Sequence, residues 1–268
     1  MISLKLRLIL VLLAIGYGVI GAMMFVIPVW AAENFTWRVS PFAAMTIGGW
    51  CLGNAWAAAI VAQRRYWPVM LCPIIYLALF GLLQVAVLAA FRPLLQSGPL
   101  AALYIAMTFL TTLFGIAAFV EGVRRDDLWQ PANPAIVTPA VWTIGIMIAL
   151  TAGLGLSGLI AIVSARDVYS AIFPEPLLPL SLRAFGAFYL ALAASAVPLV
   201  VTRSRQALRS YIFAIYPLLL LITVSAIVFI GQFDFSNQPG QIIYLGLYVI
   251  AAGLSGFVLV IAGTGARA

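Results

Sequence analysis

The sequence contains no histidine and only two cysteines, Cys51 and Cys72. Without histidine the chain lacks the usual axial ligand of haem, the usual ligand of membrane copper sites and the general base of Ser-His or Cys-His hydrolysis. Two thiols are also too few for a four-cysteine zinc site or for an iron–sulfur cluster held by one chain. We therefore expect no metal site and no haem.

Charged residues are scarce as well, at 8% of the 268 residues, whereas soluble domains carry about 25%. Hydrophobic residues make up 65% of the chain and the mean hydropathy is +1.16. This composition predicts an integral membrane protein. A net charge of +7 would suggest nucleic-acid binding in a soluble protein, but here the basic residues lie in short loops between apolar segments. Such residues set membrane orientation, so we expect membrane lipids and no nucleic acid as partners.

The acidic residues exclude further functions, because none of them lies in the middle of an apolar segment. A carboxylate proton relay or an intramembrane aspartyl protease needs such residues at depth. The sequence also has no Walker loop, no G-x-S-x-G and no H-E-x-x-H motif. We therefore expect the chain not to be an enzyme. The seven acidic residues are Glu33, Glu121, Asp126, Asp127, Asp167, Glu175 and Asp234.

Apolar runs of about 20 residues, the length needed to cross a bilayer as a helix, occur eight times. They are continuously apolar and do not alternate as barrel strands do. The fold class predicted is an all-α integral membrane protein with eight transmembrane helices. The predicted spans are 6–30, 42–62, 69–91, 100–121, 139–164, 182–202, 211–231 and 242–263.

Basic residues predict the orientation, because cytoplasmic loops carry an excess of Lys and Arg. With both termini inside, ten of the 14 basic residues are cytoplasmic and four are external. Arginine is 13 of those 14, a bias typical of GC-rich bacterial genomes, and the predicted location is a bacterial inner membrane with multiple passes. The cytoplasmic set is Lys5, Arg7, Arg64, Arg65, Arg124, Arg125, Arg203, Arg205, Arg209 and Arg267, and the external set is Arg38, Arg92, Arg166 and Arg183.

An internal repeat is the strongest sign of organisation. The residues that pair at an offset of 138 are Pro41 with Pro179, Gly48 with Gly186, Trp50 with Phe188, and Leu52 with Leu190. We predict two tandem four-helix units, 1–125 and 139–268, joined by a cytoplasmic linker at 126–138. Because each unit has an even number of spans, both have the same orientation in the membrane, which makes a parallel repeat.

Small residues four positions apart let helix backbones approach closely, and they recur in both halves. Intramolecular helix packing and a face for a partner subunit are both open. Span 2 carries Gly49, Gly53 and Ala57, and span 6 carries Ala187, Ala191 and Ser195, each 138 positions later. Span 1 carries Ala14, Gly18 and Ala22, and span 5 carries Gly153, Ser157 and Ala161, each 139 positions later.

Two amides, Asn54 and Gln84, lie inside predicted spans. An amide in hydrocarbon needs a hydrogen-bonding partner, so we expect interhelical hydrogen bonds; contact with a ligand in a cavity is the alternative.

Two charged residues are further candidates for polar contacts. Glu121 is expected to pair with Arg124 or Arg125, three and four positions on, and a proton or ion site is the alternative. Arg183 lies one turn into span 6, where we expect it to reach the interface or pair with Asp167 or Glu175. The alternative for Arg183 is binding of an anionic headgroup or a substrate carboxylate.

The sequence leads to two functional hypotheses and to no catalytic site, cofactor site or metal site. The first is a non-catalytic accessory or structural subunit of a larger bacterial membrane complex, with other membrane proteins as partners. The second is a secondary transporter or binder of an apolar, lipid-like solute at the interface of the two repeats. Bound lipid is expected in either case, and a pigment or quinone held without histidine stays open.

Overall fold

The structure, a computed structural model, describes residues 2–64, 66–124, 136, 138–160, 175 and 177–264. Eight of the helices in these residues are long and apolar enough to cross a membrane, one for each predicted span, and the protein is a polytopic helical membrane protein. The helices are α1 (Leu4–Val26), α2 (Pro28–Asn34), α3 (Pro41–Gln63), α4 (Trp67–Ala90), α5 (Pro99–Gly122), α6 (Thr138–Ile160), α7 (Pro179–Thr202), α8 (Arg205–Val228) and α9 (Gly240–Thr264).

Prolines and serines set where the helices begin. Pro41, Pro99 and Pro179 each occupy the first turn of a helix, where the missing amide hydrogen has no helical partner to lose. The Ser40 hydroxyl accepts a hydrogen bond of 3.0 Å from the Ala43 amide, and the Ser204 hydroxyl one of 3.1 Å from the Ala207 amide. These are N-caps of α3 and α8.

Two predicted spans differ from the helices by more than three residues at an end that lies within the described residues. The first span was predicted as one helix over 6–30, but α1 ends at Val26 and the short helix α2 starts at Pro28, because proline cannot continue a helix without losing a backbone hydrogen bond. The seventh was predicted to begin at 211, but the Ser204 cap starts α8 at Arg205. The Ser204 cap therefore stabilises a helical first turn, although that turn contains polar residues.

The bundle has four central helices, α3, α4, α7 and α8. In these, α3 packs along α8 and α4 packs along α7, and α4 also touches α8. Around them α1 packs on α3, α6 on α7, α5 on α4 and α9 on α8. Aromatic rings fill the centre: the Trp50 ring centroid lies 5.1 Å from that of Phe185, 5.1 Å from that of Phe188 and 6.2 Å from that of Phe80.

Hydrogen bonds identify the groups that share each end of the bundle. At one end, which we call the Arg64 end, the Arg7 guanidinium donates to the Ala62 carbonyl (2.9 Å) and the Ile136 amide to the Arg203 carbonyl (2.6 Å). At the other, the Glu175 end, the Gln96 amide donates to the Thr36 carbonyl (2.7 Å). The predicted linker 126–138 lies outside the described residues except for Ile136 and Thr138, as do residues 161–164 of the fifth predicted span.

Candidate functional site

Asn54 connects α3 to α4. Its side chain is fully buried, and its Oδ1 accepts a hydrogen bond of 2.6 Å from the Tyr76 hydroxyl. The amide nitrogen of Asn54 has no hydrogen-bonding partner among the described residues. The side chain therefore joins two helices of the first half through one of its two polar atoms.

Gln84 connects three helices across the predicted repeat boundary. Its Nε2 donates to the Ala184 carbonyl of α7 at 2.9 Å, and its Oε1 lies 3.5 Å from the Tyr104 hydroxyl of α5. Gln84 and Tyr104 are both fully buried. Because an unpaired amide in hydrocarbon costs free energy, these contacts favour one relative position of α4, α5 and α7.

Tyr17 and Thr111 form a buried contact that the sequence analysis did not select. The two hydroxyl oxygens lie 2.9 Å apart and join α1 to α5. The Thr111 hydroxyl also donates to the carbonyl of Met107 at 2.7 Å in its own helix, as threonines in membrane helices commonly do. Because the two residues are 94 positions apart, no local sequence pattern identifies them as a pair.

Glu121 lies at the Arg64 end of α5, among donors from two other helices. One carboxylate oxygen accepts hydrogen bonds from the Ser3 amide (3.3 Å) and from the Trp67 indole (3.0 Å). No contact among the described residues joins Glu121 to Arg124, and the other expected partner, Arg125, lies outside those residues. The contacts from Ser3 and Trp67 join the starts of α1 and α4 to the last turn of α5.

Arg183 lies in the first turns of α7, where its guanidinium donates to the Gly158 carbonyl of α6 at 2.7 Å. The expected partner Asp167 lies outside the described residues. Glu175, the other expected partner, accepts a hydrogen bond from the Ser40 hydroxyl of α3. The observed Arg183 contact therefore joins α6 to α7.

A pocket of about 350 Å³ opens at the Glu175 end between the first turns of α3 and α7. Its polar lining comes from Arg38, Ser40, Glu175 and Ser181. Burial raises the pKa of the Glu175 carboxyl above its ordinary value, while the hydrogen bond from Ser40 acts in the opposite direction. The Ser181 hydroxyl also accepts a hydrogen bond of 3.0 Å from the Trp37 indole. Sequence reasoning missed this cluster because its members come from segments about half the chain apart.

The small residues of α3 pack inside the molecule. A Cβ placed at Gly49 would lie 3.2 Å from the Leu221 carbonyl carbon, and one placed at Gly53 would lie 2.3 Å from Leu218 Cβ. This face of α3 is therefore in direct contact with the backbone of α8. The other members of the two predicted faces are buried: Ala57, Ala187, Ala191 and Ser195.

The small residues of α6 lie differently. No described atom lies within 4 Å of a Cβ placed at Gly145 or at Gly153. Ala149, between them on the same face, is exposed. Three small residues four apart thus form an outward face, which we call the α6 face (Gly145, Ala149 and Gly153). Gly153 also belongs to the row of small residues predicted in span 5, with Ser157 and Ala161, of which Ala161 lies outside the described residues.

No protein-family profile, curated protein or solved structure matches the chain.

Proposed function

We propose that the protein is a non-catalytic accessory subunit of a larger bacterial membrane complex, held there by a partner transmembrane helix that packs on the α6 face. The observation that carries the proposal is the outward position of Gly145, Ala149 and Gly153. Interfaces between membrane helices are enriched in small residues because these allow close backbone contact. A row of them on an uncovered face is typical of a helix whose neighbour belongs to another chain.

Equivalent contacts in the two halves support the proposed repeat. They also indicate which residues of α1 correspond to residues of α6. A Cβ placed at Gly21 would lie 2.7 Å from the Leu52 nitrogen, and one placed at Gly155 would lie 2.7 Å from the Leu190 nitrogen. Gly155 follows Gly21 by 134 positions and Leu190 follows Leu52 by 138. We infer that α6 corresponds to α1 at an offset of 134, and not at the 139 expected from the small residues alone.

At this offset the α6 face corresponds to Val11, Ile15 and Val19 of α1. These three side chains are 46%, 61% and 46% exposed. On α1 the outward face therefore carries bulky apolar residues, as suits contact with lipid, whereas the same face of α6 carries Gly, Ala and Gly. Lipid exposure alone does not account for that difference.

Within the part of the chain that the structure describes, α6 also has fewer neighbours than α1 has in the first half. In the first half, Met107 of α5 packs against Gly16 of α1. Its sulfur would lie 2.1 Å from a Cβ placed at Gly16. The corresponding residue of α6 is Leu150, which is 53% exposed. Among the described helices α6 packs extensively on α7 alone. This arrangement supports a role for α6 as the attachment helix.

The test compares two double variants purified in mild detergent from native membranes. We expect wild-type protein to carry a partner membrane protein in fixed stoichiometry by native mass spectrometry. Gly145→Leu combined with Gly153→Leu should reduce the recovered partner about tenfold, equivalent to about 1.4 kcal/mol of binding free energy. Its melting temperature should not fall, because leucine fits the open space and favours helix.

The matched control is Val11→Leu combined with Val19→Leu, on the corresponding face of α1, which should retain the partner. If the α6 double variant keeps its partner in full, the α6 face is not the attachment surface. A wild-type protein recovered only as a monomer or a homodimer would argue against the accessory-subunit function itself.

A transporter or solute binder working between the two halves is the second candidate. The aromatic rings of Trp50, Phe185 and Phe188 fill that interface at mid-bundle, so the packing favours the accessory subunit. A solute that copurifies with the isolated chain and is lost on mutation of these rings would reverse that preference.

We also propose that the Arg64 end faces the cytoplasm. Described basic residues are concentrated there, and the excess of Lys and Arg on the cytoplasmic side supports this orientation. Those at the Arg64 end are Lys5, Arg7, Arg64, Arg124, Arg203, Arg205 and Arg209, against Arg38, Arg92 and Arg183 at the other.

Cysteine labelling in intact cells tests the orientation. Both native cysteines are buried, which keeps the background low, whereas Gln63 and Ser97 are exposed at opposite ends. A maleimide that cannot cross membranes should label Ser97→Cys in intact cells and Gln63→Cys only after permeabilisation. The reverse pattern would show that the chain is inserted the other way up.

A further inference from the structure

We propose that a pocket at the Arg64 end binds a phosphate-bearing anion, in the form of a phospholipid headgroup or a free phosphate ester. The pocket has a volume of about 360 Å³ and lies where the end of α3 meets the start of α8. Its polar side is formed by Arg64, Gln206, Arg209 and Ser210. The inference stands independently of any partner subunit.

The two arginines supply unneutralised positive charge. Arg64 follows the last residue of α3, and Arg209 lies in the second turn of α8. Within the part of the chain that the structure describes, neither guanidinium forms an ion pair or a side-chain hydrogen bond. Two free guanidinium groups that line one cavity suit an anion with several acceptor oxygens, since arginine binds phosphate through paired N–H donors.

Gln206 and Ser210 add an amide and a hydroxyl to the same pocket. Both lie on α8, one turn of helix apart, so their side chains share a face. Neither side chain has a hydrogen-bonding partner among the described residues. The pocket therefore offers neutral donors beside the two cations, a set that fits a phosphate group with its bridging and terminal oxygens.

The remaining wall of the pocket is apolar and is formed by side chains from four helices. It is lined by Ile60 of α3, Met70 of α4, Phe213 of α8 and Leu259 of α9. A cavity with a cationic half and an apolar half matches the two parts of a lipid, a headgroup and the start of its acyl chains. Basic pockets between transmembrane helices are known to bind anionic headgroups.

The experiment uses the full-length protein in neutral detergent and native mass spectrometry, with phosphatidylglycerol, phosphatidylcholine and inorganic phosphate as probes. We expect one phosphatidylglycerol to bind with clear preference over zwitterionic phosphatidylcholine. Arg64→Gln combined with Arg209→Gln should weaken that binding about tenfold or more, because each arginine near an anionic headgroup adds electrostatic attraction. Arg92→Gln, which removes an exposed arginine at the other end, should leave binding unchanged.

Gln206→Glu is a second variant that keeps both arginines and adds a negative charge to the pocket. It should weaken phosphatidylglycerol binding as well, at an unchanged melting temperature because residue 206 is exposed. Failure of millimolar phosphate to compete would support a lipid headgroup as the ligand, and full competition would support a free phosphate ester. The proposal is overturned if phosphatidylcholine binds equally well, if none of the probes binds, or if the Arg64/Arg209 variant binds as wild type does.

Discussion

Gly53→Val should lower the melting temperature of the purified protein by roughly 10 °C. A Cβ at this position would lie 2.3 Å from Leu218 Cβ and 2.8 Å from Leu218 Cα. Since part of that contact is with backbone, α3 and α8 would have to separate. Overpacking of this kind costs about 3 kcal/mol, and each kcal/mol shifts the melting temperature of a chain of this size by about 2–4 °C.

Gly153→Val is the matched control, because it makes the same substitution in another apolar helix. The added side chain enters open space at that position, so the change in stability should stay within about 0.5 kcal/mol. Thermal unfolding followed by tryptophan fluorescence gives both values. Equal melting temperatures for the two variants would mean that α3 and α8 are not in close contact.

Trp50→Ala should cost at least as much as Gly53→Val, about 3–5 kcal/mol of unfolding free energy. The Trp50 ring is fully buried and touches Phe80 of α4 as well as Phe185 and Phe188 of α7. Removing it leaves a cavity where the central helices meet. In a membrane this loss of packing matters especially, because lipid supplies no hydrophobic force to hold helices together.

Trp142→Ala provides the comparison, since that ring is 71% exposed on α6 and its loss creates no cavity. Trp50→Phe keeps an aromatic ring at the centre and should recover most of the stability lost in Trp50→Ala. A Trp50→Ala protein that melts within 2 °C of the Trp142→Ala protein would contradict the packed centre.

The Arg64-end pocket and the α6 face lie on different helices of the bundle. The α6 face attaches the chain to a neighbour through the peripheral helix of its second half. The pocket of Arg64 and Arg209 lies instead at the junction of α3 and α8, two central helices. A bound anion there would neutralise two arginines at the end of the bundle without involving α6, so the two sets of variants can be interpreted separately.

Several features were predictable because they depend on neighbouring residues alone. A membrane helix needs a run of about 20 apolar residues and satisfies all its backbone hydrogen bonds within that run. The eight runs are therefore visible in the sequence. The same reasoning found Asn54 and Gln84, since polar side chains stand out within an apolar run.

The partners of those side chains were beyond local reasoning. Gln84 bonds to the Ala184 carbonyl, 100 positions away, and Ser40 to Glu175, 135 positions away. Every residue offers a carbonyl and many offer a hydroxyl, so the sequence contains no mark that selects one of them. Only the packing of α3, α4 and α7 against one another brings these groups within hydrogen-bonding distance.

The sequence by itself determined that this is a helical membrane protein with eight apolar spans and few charged residues. Only the tertiary structure decided which small residues face inward. Gly53 packs against Leu218, whereas a Cβ placed at Gly153 would meet no described atom within 4 Å, although both glycines belong to similar rows of small residues four apart. The physical reason is that an apolar helix in lipid has no polar side to mark its exposed face, so shape alone selects the packing partner, and shape is a property of two helices together.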